Sequence, residues 1–166
     1  MYFISRSNKL ENIMSKPKVY IASTLANWER VRRIRDKLIE AGIEITYDWT
    51  LHGAAFYSAD GTLNTSTTKT EEELEQAAIS ESKGVIDAHA ILAVMPGGRG
   101  THFELGVAFI LNTPAIILMD QENADRPTSF HYLPSTTRHM IEDEAIADCI
   151  KKATVEYHNI KERGYR

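Results

Sequence analysis

The sequence predicts a doubly wound α/β fold: a mostly parallel five-stranded sheet with helices on both faces, in a single domain. Two observations carry this. Ala90-Ile91-Leu92-Ala93-Val94-Met95 and Ala115-Ile116-Ile117-Leu118-Met119 are unbroken apolar runs, the mark of strands covered on both faces. Around them lie stretches with apolar residues at helical spacing, so strands and helices alternate along the chain. At 166 residues the chain is long enough to bury one core and needs no second domain.

The elements follow in order. Met1 to Lys16 mixes polar and apolar residues, with no run of signal-peptide or membrane-spanning length, and reads as a flexible arm ahead of a domain over 17–166. Lys18-Val19-Tyr20-Ile21-Ala22-Ser23 is a β-branched and aromatic run. Trp28, Val31, Ile34, Leu38 and Ile39 then recur at helical spacing, and Gly42 marks the stop. Ile43 to Tyr47 alternates as a second strand. From Asp48 to Thr70 the composition turns to Gly, Ser, Thr and Asn, which predicts a substrate-covering loop or, failing that, a disordered one. Thr70 stands as N-cap before Glu71-Glu72-Glu73, and Leu74, Ala77, Ala78, Ser82 and Val85 share one face of the helix that follows. A helix at about 102–112 separates the two apolar strands. A fifth strand is expected near Arg138–Ile141, and an amphipathic helix from Glu142 to about Lys161 closes the domain.

Composition narrows the function. A formal net charge of −4 and a pI near 5.9 argue against a protein that grips nucleic-acid backbone. Cys149, the only cysteine, sits in an apolar stretch and reads as a buried helix residue; without a disulfide framework the chain fits a reducing, cytoplasmic setting. His52, His89 and His102 show no ligand spacing, so neither a metal nor another cofactor is expected.

In an open parallel sheet, ligands bind beyond the carboxyl ends of the strands where the strand order reverses. Ser23-Thr24-Leu25 and Pro96-Gly97-Gly98-Arg99-Gly100-Thr101 answer to that place. The glycines permit unusual backbone angles and close approach of a ligand, and the following helix offers free N–H groups, so the second segment is an anion or ribose cradle. The bland alternative is a glycine-rich turn without a ligand. No Gly-Lys-Ser/Thr follows, which excludes a Walker loop.

Glu104 carries two readings. Thr101-His102-Phe103-Glu104 has the spacing of a capping box, with Thr101 as N-cap and the Glu side chain bonded back to it. Alternatively, the carboxylate is held ionised in the first helical turn and faces the crevice, where it can attack an anomeric carbon. Trp49 follows the second strand at the same end, placed to stack on a base or to pack in the core.

Val19-Tyr20-Ile21-Ala22-Ser23, an acid on the mid-chain helix, and above all Gly100 to Gly106 with its Glu104-Leu105-Gly106 resemble the nucleoside 2-deoxyribosyltransferase family, which includes the 2'-deoxynucleoside 5'-phosphate N-hydrolases. The resemblance covers roughly residues 18–120 and agrees with a Rossmann-like or flavodoxin-like sheet. It implies Glu104 as nucleophile, Tyr20 as the tyrosine touching it, and Glu81 at the position of an Asp that serves the leaving base. It further implies that the Phe130–Pro134 segment, through His131 or Tyr132, completes a neighbouring subunit's site in a homo-oligomer. Two departures are visible. Gly98 stands where the transferases place a further acid, and Thr24 and Ala26 stand where the hydrolase branch has Ser and Arg, leaving Arg99 as the substitute phosphate contact. The expected activity is cleavage or exchange of the N-glycosidic bond of a nucleoside through a glycosyl-Glu104 intermediate, within nucleotide salvage. Hydrolysis of a nucleoside 5'-monophosphate and a non-catalytic nucleotide-sensing domain are the alternatives.

Overall fold

The computed structural model describes residues 16–51, 70–125 and 128–164. The expected N-terminal arm and most of the expected covering loop lie outside the described residues. Strands β1 (Lys18–Ala22), β2 (Glu44–Ile45), β3 (Ala90–Val94), β4 (Ala115–Leu118) and β5 (Thr136–His139) form one sheet of order β2-β1-β3-β4-β5, every pair parallel. Helices α1 (Trp28–Glu40) and α5 (Glu142–Arg163) pack on one face of the sheet, and α2 (Glu71–Asp87) and α3 (Arg99–Ile110) on the other; a short α4 (Gln121–Asp125) follows β4. The doubly wound fold is therefore the one the alternation of elements predicts.

The core is made where the sequence is continuously apolar. Every residue of β3 and β4 is buried, as sheets sandwiched between helices require. From α1, Val31, Ile34 and Leu38 point inward, each at most 2% exposed, and burial of such side chains stabilises by about 1.5–3 kcal/mol apiece. Ile39, at the edge of the same stripe, faces solvent. Cys149 is buried in α5, and burial pushes its thiol pKa up.

Four expectations shift. The second strand is two residues long, because past Ile45 the chain turns away into the Asp48–Thr50 turn. The fifth strand runs Thr136–His139, earlier than Arg138–Ile141, since Ile141 is the N-cap of α5 and Met140 is exposed. On α2 the buried residues are Gly84 and Val85; Leu74 and Ala78 are exposed, so the expected apolar face is covered only toward the helix C-terminus. Helix α3 begins at Arg99 rather than near 102, with consequences for Glu104.

Candidate active site

From β1 the chain crosses to β2 on one side, and from β3 to β4 on the other. The loops that follow β1 and β3 diverge, which opens a crevice at the carboxyl edge of the sheet. A cleft of about 440 Å³ occupies it. Ser23 and Thr24 from the first loop, Gly98, Gly100 and Thr101 from the start of α3, and Trp49 line its walls. Tyr20, Glu81 and Glu104 line it as well, brought together from β1, α2 and α3. Leu25 and Ala26, which the sequence does not single out, complete the lining.

Glu104 is only 7% exposed, and Tyr20 Oη donates a hydrogen bond to its Oε1 at 2.6 Å. Burial raises the Glu104 carboxyl, the Tyr20 hydrogen bond lowers it, and the negative charge of Glu81 raises it further; the balance pushes it up to about 7. Burial, together with the adjacent Glu104 charge, drives the Tyr20 phenol well above its ordinary value, so it remains a neutral donor. Near neutrality this carboxyl exists in both protonation states, which suits a group that must ionise to act as a nucleophile.

The capping-box reading of Glu104 is overturned by the helix start. The N-cap is Gly98, and Thr101, at the third helical position, accepts from the Gly98 N–H at 3.1 Å through its Oγ1. Glu104 lies a turn further in and bonds across to β1 instead.

The glycine loop also works differently from the expectation. Among the described residues the glycines with positive φ are Gly42 and Gly164, so Gly97, Gly98 and Gly100 use no unusual backbone angle. Close approach is what they supply. A Cβ at Gly97 would stand 2.8 Å from Thr101 Cγ2, which makes that glycine a packing requirement, whereas Gly100 has open space beside it and faces the cleft.

Two neighbouring loops are fastened from behind. Ser23 Oγ donates to the Val94 carbonyl at 2.7 Å, and Asn27 Nδ2 donates to Ser23 Oγ at 2.9 Å and to the Pro96 carbonyl at 3.2 Å. The Ser23 proton is thus committed to the scaffold. Trp49 is buried and its Nε1 donates to the Ile21 carbonyl at 2.8 Å, so one indole serves core and cleft wall together. Asp48 holds that turn: it accepts from the Thr50 N–H and pairs with Arg35 at 2.6 Å. No motif marks Asn27 or Arg35 in the sequence, because their roles rest on contacts with Pro96 and Asp48 from other elements.

Gly97, Arg99, His131 and Tyr132 do not line the cleft. Arg99 is exposed beside it. His131 is fully buried within its own chain, its ring stacked on His102 at 5.6 Å between centroids; Tyr132 is the exposed member of that pair, with the Arg138 guanidinium over its ring. No cluster of potential metal ligands occurs among the described residues, and no described helix is long and apolar enough to cross a membrane.

Fold and site together define a doubly wound α/β domain with a buried carboxylate at its topological switch point. No protein-family model and no curated protein matches the chain. Among solved structures, the solution structure of BlsM is similar, with a TM-score of 0.57 and 13% identity over 89% of this chain and 94% of BlsM. The Clostridium botulinum CMP N-glycosidase BcmB aligns with a TM-score of 0.45 and 18% identity over 79% of this chain and 96% of that one. A conserved protein from Enterococcus faecalis V583 aligns with a TM-score of 0.41 and 14% identity over 90% and 100%. The likeness to BlsM establishes a shared fold.

Proposed function

We propose that this protein cleaves or exchanges the N-glycosidic bond of a nucleoside or nucleotide by double displacement, with Glu104 as nucleophile. The observation that carries the reading is the buried Tyr20–Glu104 pair at the wall of a cleft large enough for a nucleoside. Ionised Glu104 attacks the anomeric carbon as the base departs, and a glycosyl ester forms; water or a second base then releases the sugar. Tyr20 keeps the carboxylate oriented, and Glu81, on the neighbouring helix α2, faces the departing base. The resemblance to the nucleoside 2-deoxyribosyltransferases and N-hydrolases noted in the sequence supports the same roles.

A 5'-monophosphate substrate resolved by water is the branch that one feature favours. The amino end of α3 opens on the cleft at Gly98, Gly100 and Thr101, where the first-turn amides and the helix dipole attract an anion, and an acid in that loop, as in the transferases, is replaced by Gly98. Phe130 and Tyr132, exposed beside the fifth strand, are the aromatic residues of the Phe130–Pro134 segment available to a second subunit in a homo-oligomer.

Glu104→Gln tests the reading. Glutamine retains an oxygen that accepts from Tyr20 but cannot form the ester, so base release from a panel of nucleosides and 5'-monophosphates is expected to fall by orders of magnitude. Stability moves the other way. With its folded pKa raised above its ordinary 4.5, Glu104 stabilises the fold fully only below that value, and the contribution is lost as pH rises through about 7. Above pH 7 the Gln variant is therefore expected to be more stable than wild type by on the order of 2–3 kcal/mol, a gap that closes toward pH 4 in thermal melts. A variant with wild-type turnover removes Glu104 from the mechanism.

A further inference from the structure

Gly84 lies inside α2, where glycine is a poor choice because it has the most backbone freedom to lose. No positive φ demands it. Contact does. A Cβ at this position would stand 2.9 Å from Tyr20 Cδ2, 3.0 Å from Tyr20 Cε2 and 2.9 Å from Tyr47 Cβ. Two of those three atoms belong to the ring whose hydroxyl donates to Glu104. That ring is 1% exposed and tethered at its far end by the 2.6 Å bond, so it cannot swing aside as a surface side chain would.

We propose that Gly84 is a positioning residue for the reaction: its missing side chain lets α2 settle on β1 and fixes the Tyr20 ring where its hydroxyl meets Glu104. Gly84 follows Glu81 by one helical turn and so shares its face of α2, which means that the same close seat also brings Glu81 to the cleft. One methyl group at this point forces the Tyr20 ring out of line. The inference deepens the reading of Glu104 as nucleophile, but the contact itself stands whether or not that reading holds.

The test follows the Glu104 carboxyl directly, by NMR titration of protein carrying 13C at the glutamate side-chain carboxyls, with Glu104→Gln assigning the signal. Gly84→Ala is expected to raise the Glu104 pKa to the value found in Tyr20→Phe, because both lose the bond that favours the ionised form, and to lower kcat/KM near neutral pH by about tenfold. The Gly84→Ala/Tyr20→Phe double variant is expected to titrate as Tyr20→Phe alone. A folded Gly84→Ala protein with a wild-type titration, or effects of the two changes that add, overturns the proposal. If Gly84→Ala does not fold, thermal melts of Tyr20→Leu with and without Gly84→Ala decide: with the ring gone only the Tyr47 Cβ contact remains, so the double variant is expected to fold with a reduced loss, and a double variant that still fails to fold overturns the proposal. Absence of base release in wild type would end the nucleophile reading while leaving the titration and the melts as readouts of Gly84.

Discussion

At the scale of single residues, Glu104 is caught between two neighbours that act on its proton in opposite directions. The Tyr20 hydroxyl favours the carboxylate and the Glu81 charge disfavours it, with burial raising the whole balance to about 7. Attack requires the ionised form, so kcat/KM for base release is expected to fall as pH drops below about 7. Tyr20→Phe removes the bond to the charged form and is expected to move that acid limb to higher pH. Glu81→Gln removes a negative neighbour and is expected to move it lower. A pH profile of the three proteins checks both signs, and a common direction of shift contradicts this electrostatic account. Glu104 was legible as the acid of the Gly-x-x-x-Glu-Leu-Gly stretch, and Tyr20 through the resemblance. Gly84 was not, because a glycine in a helical pattern reads as a mere weakness until the strand it touches is known.

At the scale of elements, the start of α1 shows local propensity yielding to a tertiary contact. Asn27 occupies the N-cap position, where Asn normally accepts from the backbone of the first turn, yet it makes no side-chain cap bond. Its amide N–H groups instead tie Ser23 to Pro96 across the base of the cleft. Aspartate in its place, an equally good N-cap on propensity alone, would bring a carboxylate against the Pro96 carbonyl with no proton to donate. Asn27→Asp is therefore expected to destabilise by about 1–2 kcal/mol in chemical denaturation, where a pure cap role would leave stability unchanged. The strands and helices themselves were legible where periodicity is long: β3, β4, α1 and α5 stand where the apolar patterns place them. Their ends were less so. Helix α3 begins on glycine and arginine, residues with no strong start signal, and Thr101 imitated an N-cap while in fact serving the third position.

At the scale of the whole molecule, the parallel order β2-β1-β3-β4-β5 sets the place of the chemistry before any side chain is considered. The crevice between the loops after β1 and β3 is the one the alternation of strands and helices implies, and Tyr20, Glu81 and Glu104 reach it from three different elements. Spacing along the chain does not show that convergence, because the three are far apart; in the sequence only the family resemblance brings them together. His131 illustrates the converse: within the segment expected to face a neighbour, the 3-10 turn at Ser129–Tyr132 carries its imidazole inward against His102 and leaves Phe130 and Tyr132 exposed. The central claim is that the cleft forms a glycosyl ester on Glu104. Incubation of wild type with a 2-fluoro sugar analogue bearing a good leaving base slows both steps, and mass spectrometry of the digested protein reads the trapped state. The expected result is release of the base together with a gain of the sugar mass on the peptide that contains Glu104; base release with no sugar on any peptide, or with the sugar on a peptide lacking Glu104, would contradict it.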